Sequence, residues 1–441
     1  MTPDGLTARL SCRQRSSIRL AAGRWQQTGG WRVSEQGPQS RRWIEQRWLI
    51  DNIIQANGID WDQPRSLYLS APMGPEAAAD FAAIRLRVRK FADCSPAFEW
   101  AARRREARAE TAERAGETVT ARDNYFMAAI HWGAAQWPID RNDERNLWLN
   151  ARKRECYAAY ARLADRRVEE AWIPLGDRKL PAWLHLPPGY AGGRLPAVIS
   201  IPGMDSFKEG AVALYGDTFL NRGFAVLSLD GPGQYESPVL GIPFTMAGWE
   251  QTGRAAYDWL AQRPEIDPDR ICISGRSFGS FFATIAAAGE PRLRACAVSQ
   301  VCHEPGFHTI FQEASPTFKQ RFMYMADILD EDAFDRFRQT MTWEGHAQKI
   351  AMPYLCLAGE ADELSPLVHT ERLFRALAGA RRLVVYQDAR HGIGGVPSAA
   401  LGPAVAVLMA DWLAARCRGE PCDSGRWDVD ATGRIHESAL P

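Results

Sequence analysis

A serine placed in a tight strand-to-helix turn is the feature that most constrains the fold of this chain. The apolar residues 271–274 predict a buried strand, and Gly-Arg-Ser-Phe-Gly follows at residues 275–279. Small residues after this segment predict a closely packed helix. Because glycine has no side chain, Gly275 and Gly279 allow the strand and the helix to approach each other around Ser277. The sequence therefore predicts an exposed serine hydroxyl at the end of a strand.

Two polar residues that follow later predicted strands complete a candidate catalytic site. A serine hydroxyl becomes a good nucleophile only when a base takes its proton and an acid orients that base. Asp362 follows the predicted strand 354–358, and His391 follows the predicted strand 382–386. The order serine, acid, histidine is typical of the α/β-hydrolase fold. The sequence thus predicts a catalytic triad of Ser277, Asp362 and His391.

Each of these assignments has an alternative. Glu360 lies two residues before Asp362 and is a rival acid, but a residue further from the strand end suits a loop that reaches the base. Seven other histidines occur in the chain, and none of them lies between a predicted final strand and a final helix. A cysteine nucleophile at Cys302, beside His303, is a weaker hypothesis because no comparable turn surrounds it.

An enzyme of this kind also needs backbone N–H groups that bind the negatively charged oxygen formed during the reaction. The residue after the nucleophile, Phe278, is expected to supply one donor. The loop after the predicted strand 196–201 supplies the other, and Met204 is the predicted donor, with Gly203 allowing close approach. The alternative is that this loop is an ordinary strand-to-helix turn.

Composition excludes several functions. The 441 residues include 53 basic and 53 acidic residues, so the formal net charge is zero. This balance argues against nucleic acid or an anionic membrane as the main partner. No apolar run reaches the length of a membrane span, and no secretory signal is evident, so we expect a cytoplasmic protein.

The sequence predicts neither a metal nor a cofactor. Its nine cysteines include no Cys-x-x-Cys pair, and an odd number of them in predicted helices and strands indicates reduced thiols. A Gly-rich dinucleotide loop and a cluster of metal ligands are both missing from the sequence pattern.

The pattern of apolar residues divides the chain into four segments. Residues 1–40 contain glycine and proline breakers and are predicted to be a disordered extension. Residues 41–167 show helical spacing and are predicted to form a helical N-terminal cap domain. Residues 168–417 begin with a hairpin and then alternate strands with helices, which predicts a mostly parallel eight-stranded sheet. Residues 418–441 are predicted to be a loose tail.

One connection in the sheet is too long for a single helix. Residues 302–350, rich in phenylalanine and methionine, separate two predicted strands. An insertion of this length often covers an active site as a lid. The alternative is plain packing against the helical domain.

Three segments together resemble one branch of the α/β-hydrolases. They are Pro-Gly-Met-Asp-Ser-Phe-Lys-Glu at 202–209, Asp-Gly-Pro-Gly-Gln-Tyr-Glu at 230–236, and the turn at 275–279. The branch includes 2,6-dihydroxypseudooxynicotine hydrolase, the fungal heptaketide-shortening hydrolases and the fermentation/respiration switch protein. The resemblance covers roughly residues 120–415. It implies the same triad, and it implies a homodimer because relatives are often dimers.

The resemblance also implies a role for Asp205, which matches an acidic residue that faces substrate in the branch. The family residue is glutamate, so the shorter aspartate has less reach. The alternative is that Asp205 caps a helix that begins near residue 206. Tyr235 stands where the family usually has glycine, and Glu236 is expected to be structural.

A stripe of aromatic residues on one predicted helix suggests a substrate. Tyr125, His131 and Trp132 are predicted to form a wall that binds a flat aromatic or polyketide-like molecule. The alternative is packing between domains, which is the commoner reason for such a stripe.

Three functions are compatible with the sequence. The resemblance implies hydrolysis of a carbon–carbon bond beside a ketone, through an acyl-enzyme on Ser277. The same residues suit an esterase, amidase or carbamate hydrolase equally well. A noncatalytic regulatory binding protein is the third hypothesis, and an intact triad argues against it.

Overall fold

Residues 37–213 and 217–440 are described by a computed structural model of the chain. The predicted disordered extension, residues 1–40, therefore lies outside the described residues except for its last four positions. Of these, Ser40 begins the first helix, because its side chain accepts a hydrogen bond from the N–H of Trp43.

The first part of the described chain is helical. Its helices are α1 (Arg41–Asn57), α2 (Arg65–Ser70), α3 (Ala78–Arg87), α4 (Cys94–Arg114), α5 (Thr118–Gln136) and α6 (Glu144–Leu163). Helix α5 is buried along almost its whole second half, where alanine and glycine permit close packing. A Cβ atom at Gly133 would overlap the ring of Phe207, so α5 packs directly on the segment that follows the third strand. Among the described residues, no helix has the length and apolar character needed to cross a membrane.

A twisted sheet forms the second part. Its strands are β1 (Val168–Leu175), β2 (Arg178–His185), β3 (Leu195–Ile201), β4 (Ala225–Leu229), β5 (Ile266–Ser277), β6 (Cys296–Val301), β7 (Tyr354–Gly359), β8 (Arg381–Tyr386), β9 (Gly425–Val429) and β10 (Ile435–Ser438). The order across the sheet is β1-β2-β4-β3-β5-β6-β7-β8-β9-β10. Pairing is parallel from β4 through β9, and it is antiparallel at both ends of the sheet.

Helices cover both faces of this sheet. They are α7 (Lys208–Ala211), α8 (Glu236–Val239), α9 (Met246–Ala261), α10 (Phe278–Gly289), α11 (Pro316–Met325), α12 (Glu331–Arg338), α13 (Leu367–Ala376), α14 (Pro397–Leu401) and α15 (Val405–Cys417). Side chains alternate between the faces along each strand. Ile271 and Ile273 pack with α9 and α10, whereas Cys272 packs with α15. Burial of both faces explains why the central strands are mostly apolar.

The 302–350 insertion packs its aromatic side chains inward. The rings of Phe307, Phe311 and Phe322 lie 4.8, 5.8 and 4.9 Å from the ring of Phe278. Its helix α11 also contacts the helical region, because Arg321 donates to the backbone oxygen of Ile139 at 3.0 Å. The insertion thus joins the helical region to the helix that follows the candidate nucleophile, and these phenylalanines belong to the core.

The predicted C-terminal tail is wrong in part. Residues 418–441 contain β9 and β10, so the sheet has ten strands instead of the predicted eight. Strand β9 pairs in parallel with β8 and buries Val429, which is 1% exposed. These strands are short and rich in charged residues, so they lack the apolar pattern by which strands are recognised. They cover the edge of β8, which would otherwise expose unpaired backbone groups.

We expect deletion of residues 422–441 to destabilise the protein. The loss of buried Val429 and of the half-buried ring of Trp427 removes about 2–4 kcal/mol of apolar burial. Thermal unfolding should therefore show a Tm lower by about 3 °C or more, together with aggregation through the open edge of β8.

The substitution Ile435→Ser is the matched control, because Ile435 is 40% exposed in the same hairpin. Its Tm should lie within about 1 °C of the wild-type value. An unchanged Tm after the deletion would mean that the hairpin contributes nothing to stability.

Candidate active site

Ser277 lies at the junction of β5 and α10 in a conformation that few residues adopt. Its φ of 56° and ψ of −132° turn the chain sharply from strand into helix. A Cβ atom at Gly275 would overlap the backbone oxygen of Gly279, and one at Gly279 would lie 2.5 Å from the oxygen of Ile201. Both glycines are therefore required by the packing around the turn, as the sequence predicts.

The structure brings Ser277, His391 and Asp362 into one hydrogen-bonded chain. The Ser277 Oγ lies 2.9 Å from the His391 Nε2, and the His391 Nδ1 lies 3.0 Å from the Asp362 Oδ2. The three residues lie at or just beyond the carboxyl ends of β5, β7 and β8, which meet at one edge of the sheet. A proton can pass along this chain from the serine hydroxyl to the imidazole, which the carboxylate orients.

Backbone groups hold the acid in place. The N–H groups of Leu364 and Ser365 both donate to the Asp362 Oδ1 at 2.9 Å. The rival acid, Glu360, is exposed and accepts a hydrogen bond from the N–H of Asp388 instead. Of the two candidate carboxylates, it is therefore Asp362 that contacts the histidine.

The pKa of His391 is shifted by two opposing effects. Burial disfavours the charged imidazolium and lowers the pKa. The Asp362 carboxylate raises it, through its charge and its hydrogen bond, and the balance leaves the pKa of His391 above its usual value. Asp362 therefore makes His391 a stronger base than a buried histidine without a partner.

The alternative cysteine site is not assembled. The His303 Nδ1 is hydrogen-bonded to the Thr370 Oγ1 at 3.1 Å. Burial also raises the pKa of the Cys302 thiol, which opposes formation of a thiolate nucleophile.

The loop predicted to bind the oxyanion passes directly against Ser277. A Cβ atom at Gly203 would lie 3.1 Å from the Ser277 Cβ and 3.7 Å from its Oγ. Met204 follows, and both Met204 and Phe278 are buried. We call residues 202–207 the oxyanion loop from here on.

Gln234 supports this loop, and our sequence analysis did not single it out. Its Nε2 donates to the backbone oxygen of Pro202 at 2.6 Å, and its Oε1 accepts from the N–H of Gly231 at 3.0 Å. Gln234 belongs to the Gly-Pro-Gly-Gln segment, which our sequence analysis used only as evidence of the family resemblance. A side chain that bridges two loops is recognised once both loops are placed.

Tyr235 fits its loop although the family usually has glycine there. Its φ of 32° lies in the region that favours glycine, so the backbone is strained. The ring packs 4.7 Å from the ring of Phe207, and the hydroxyl donates to the backbone oxygen of Asp205 at 3.4 Å. These contacts offset the strain and attach the tyrosine to the oxyanion loop.

Asp205 is not a helix cap, so that alternative is wrong. Helix α7 begins at Lys208, whose N–H donates to Asp230 at 2.9 Å. The Asp205 Oδ1 instead accepts a hydrogen bond from the Trp137 Nε1 at 2.8 Å, and its Oδ2 lies 3.5 Å from the Arg65 Nη2. Burial raises the pKa of Asp205 above its usual value.

The structure places the predicted aromatic wall inside the helical region. Tyr125, His131 and Trp132 are all buried, and Tyr125 and Trp132 belong to its apolar core. Each has a polar partner nearby: they bond Glu113, Asp80 and Glu106, respectively. The expectation that these three residues bind substrate is therefore not supported, and the packing alternative describes them.

Six buried or partly buried charges lie beneath the oxyanion loop. They are Lys153, Arg154, Lys208, Glu209, Asp230 and Glu236. The Lys208 Nζ lies 2.7 Å from Glu209 and 3.3 Å from Asp230, and it also contacts Glu236. Sequence analysis anticipated only that Glu236 is structural, because the other members come from distant segments.

A cavity lies beside the turn that carries Ser277. Most of its lining side chains are apolar, and they include Tyr68, Ile130 and Met409. Arg276 and Ser206 form part of its polar wall, and the Arg276 Nη2 donates to the Ser206 Oγ at 3.3 Å. The cavity therefore reaches Gly275 and Arg276 of the turn and part of the oxyanion loop, but Ser277, Asp362 and His391 are not among its lining residues.

Metal ligands are not grouped in residues 37–213 and 217–440. Within these ranges, no three or more histidine, cysteine, aspartate or glutamate side chains are arranged to hold a metal ion. The eight cysteines of the same ranges are all unpaired.

Comparison with known sequences identifies related proteins. A sequence model of the prolyl oligopeptidase family matches residues 215–416. A 2,6-dihydropseudooxynicotine hydrolase from Paenarthrobacter nicotinovorans is 30% identical over 276 residues, which are 62% of this chain and 71% of that protein. The alpha/beta hydrolase xenA from Xenoacremonium sinensis is 31% identical over 252 residues, 55% of this chain. The match spans 58% of that fungal protein, so only part of its length has a counterpart here.

A solved structure extends this similarity to the helical region. The crystal structure of a 2,6-dihydroxy-pseudo-oxynicotine hydrolase superposes with a TM-score of 0.69 at 26% sequence identity. It covers 81% of this chain and 98% of the other. The predicted α/β-hydrolase fold, with its mostly parallel sheet and helical N-terminal region, is confirmed.

We expect His391 to titrate with a midpoint above pH 6.5, because the Asp362 carboxylate stabilises the imidazolium. In Asp362→Asn the midpoint should be lower than in the wild type, because the charge and hydrogen bond that oppose burial most strongly are weakened or lost. The resonances of labelled histidine side chains, followed by NMR over pH, measure both midpoints. The signal that is missing in His391→Gln identifies the residue.

The raised pKa of His391 also determines how the stability of the folded protein depends on pH. A folded-state pKa above the unfolded value adds stability below about pH 6.5, and this stability is lost as the pH rises through the folded-state pKa. Equal midpoints in the wild type and Asp362→Asn would contradict the assignment of the shift to Asp362.

Proposed function

Since the chain belongs to the α/β-hydrolases, in the branch of 2,6-dihydropseudooxynicotine hydrolase, we propose that it is a serine hydrolase that acts through an acyl-enzyme. Ser277 is the nucleophile, His391 the base, and Asp362 the acid that orients it. The observation that carries the proposal is the hydrogen-bonded chain through these residues, at 2.9 and 3.0 Å. A noncatalytic binding protein has no need of this arrangement at a strained turn.

Acylation starts with attack of the Ser277 Oγ on a substrate carbonyl carbon. The hydroxyl proton passes to the His391 Nε2, and the carbonyl oxygen becomes an oxyanion. The N–H groups of Met204 and Phe278 are the donors that we assign to this oxyanion. The Asp362 carboxylate stabilises the imidazolium that forms.

Collapse of this intermediate breaks the bond to the leaving group. In a ketone, the electron pair of the carbon–carbon bond goes to the leaving carbon, which must stabilise that negative charge as an aromatic or enolic carbanion until it is protonated. We assign the proton for that carbon to His391, because both carboxylate oxygens of Asp205 already face groups of the helical region. Water activated by His391 then hydrolyses the acyl-enzyme and returns the proton to Ser277.

We propose an aromatic or polyketide-like ketone as the substrate class. The relative from Paenarthrobacter is named for hydrolysis of a pseudooxynicotine, and it shares the helical region as well as the sheet. Cleavage of a carbon–carbon bond in such a ketone is the reaction that we rank first.

Hydrolysis of an ester, amide or carbamate is the second candidate. The match of residues 215–416 to the prolyl oligopeptidase family favours it. The same nucleophile, base and oxyanion donors suit these substrates, and their leaving groups depart more easily than a carbanion.

The first expectation concerns Ser277 itself. A fluorophosphonate should add once to the wild type, because an activated serine displaces fluoride from phosphorus and keeps the phosphonyl group. Ser277→Ala should remain unmodified. Intact-protein mass spectrometry measures both results.

Ser280→Ala is the matched control, since Ser280 lies one turn further along α10 and its hydroxyl accepts from the backbone N–H of Cys302. It should be labelled as the wild type is. An adduct that persists in Ser277→Ala, or a wild type without an adduct, would contradict the proposed nucleophile.

The second expectation concerns the reaction. With a hydroxylated aryl alkyl ketone as substrate, the wild type should release the arene and the carboxylic acid in equal amounts, and Ser277→Ala should lose at least about a thousandfold in kcat. Chromatography of the products measures both. Turnover of an aryl ester or carbamate without any turnover of such ketones would replace the first reaction by the second.

A further inference from the structure

The residues before and after Met204 in the oxyanion loop form contacts with different parts of the molecule. Met204 and Asp205 are the central residues of a turn that is closed by the N–H of Ser206, which donates to the oxygen of Gly203 at 3.3 Å. Gln234 holds the start of the loop through the oxygen of Pro202. The second half of the turn is held by Tyr235, through the backbone oxygen of Asp205, and by side chains of the helical region.

Those side chains form a compact cluster around the Asp205 carboxylate. The Trp137 Nε1 donates to the Asp205 Oδ1 at 2.8 Å, and the Arg65 Nη2 lies 3.5 Å from the Oδ2. The Arg65 guanidinium is stacked between two rings, 4.0 Å from that of Trp137 and 4.3 Å from that of Trp61. It also forms an ion pair with Asp62. We call Arg65, Trp137 and Asp205 the cap clamp.

The cap clamp is largely shielded from solvent. The side chain of Arg65 is 2% exposed, and that of Asp205 is 13% exposed. A charge buried to this degree stays only where its partners are in place, so Asp205 is bound tightly to the helical region. Phe207, two residues later, fills the space left by Gly133 on α5, which adds a packing contact beside the charged one.

We propose that Trp137 and Arg65 position the oxyanion loop through Asp205, so that the N–H of Met204 points at the oxyanion. The helical region then contributes to catalysis by positioning the oxyanion loop. Asp205 is a positioning residue in this view and takes no part in proton transfer to substrate. The inference rests on the proposed function, since it concerns the donor that stabilises the acyl-transfer transition state.

The cap clamp predicts a defined pattern of variants. Trp137→Phe keeps a ring beside Arg65 but removes the N–H that binds Asp205, and kcat should fall roughly tenfold with less than about a twofold change in KM. Asp205→Ala should lose a similar factor. The double variant should be no slower than the slower single variant, because both changes break one interaction.

The conservative variant separates positioning from acid–base catalysis. The substitution Asp205→Asn keeps a side-chain oxygen that accepts from Trp137, so this variant should retain at least about a third of the wild-type kcat. If the carboxylate transfers a proton instead, Asp205→Asn should lose as much as Asp205→Ala, and Trp137→Phe should behave like the wild type. That outcome overturns the proposal.

The experiment measures the rate of fluorophosphonate addition and the turnover of an activated aryl ester for each variant. Tyr157→Phe is the matched control: it removes another buried hydrogen bond of the helical region, the 3.2 Å contact with His185, and should react at the wild-type rate. Thermal unfolding of each variant checks the fold. If Trp137→Phe does not fold, the comparison of Asp205→Asn with Asp205→Ala decides the question.

The two proposals fail in different ways. A wild type that forms no Ser277 adduct removes the proposed function and the cap clamp together. A wild type that reacts at Ser277 while Trp137→Phe reacts equally fast removes only the role of the cap clamp.

Discussion

The buried charge cluster beneath the oxyanion loop is the interaction on which the rest of the structure depends. Three cations face three carboxylates there, and removal of an ion from water costs several kcal/mol unless its partners are in place. Lys208 comes from α7, whereas Lys153 and Arg154 come from α6 of the helical region, 3.7 Å from Glu209 and 3.2 Å from Glu236. The charges balance only when α6 packs against the sheet. Burial lowers the pKa of Lys153, and the charges of the surrounding carboxylates oppose that shift.

This requirement explains why the helical region and the sheet meet so closely around Ser277. The charge cluster holds the base of the oxyanion loop, and the packing of α5 on Phe207 holds its side. On the opposite side of the turn, aromatic rings of the 302–350 insertion surround Phe278. The strained backbone of Ser277 is thus enclosed by packed elements, which a residue with a φ of 56° needs in order to persist.

Much of the candidate site could be predicted from the sequence because its residues follow strands. Ser277, Asp362 and His391 each come within about five residues after an apolar run, and the order of the sheet brings such positions to one edge. Contacts between distant segments could not be predicted in this way. The aromatic stripe on α5 could contact either a ligand or neighbouring helices. Both roles require the same helical spacing of aromatic residues, so the sequence pattern cannot distinguish them. The strands after residue 418 were missed because edge strands carry charged residues and need no apolar pattern.

The sequence by itself determined the nucleophile turn, the order of strands and helices in residues 168–417, and the residues that follow those strands, since all of these are local patterns of apolar and small residues. Only the tertiary structure decided between Asp362 and Glu360, assigned Gln234 to the oxyanion loop, and placed the Asp205 carboxylate against Trp137 and Arg65. The physical reason is distance along the chain. A side chain's partner is encoded locally only when both groups belong to one element, whereas hydrogen bonds and buried charges join segments that meet after the chain has folded.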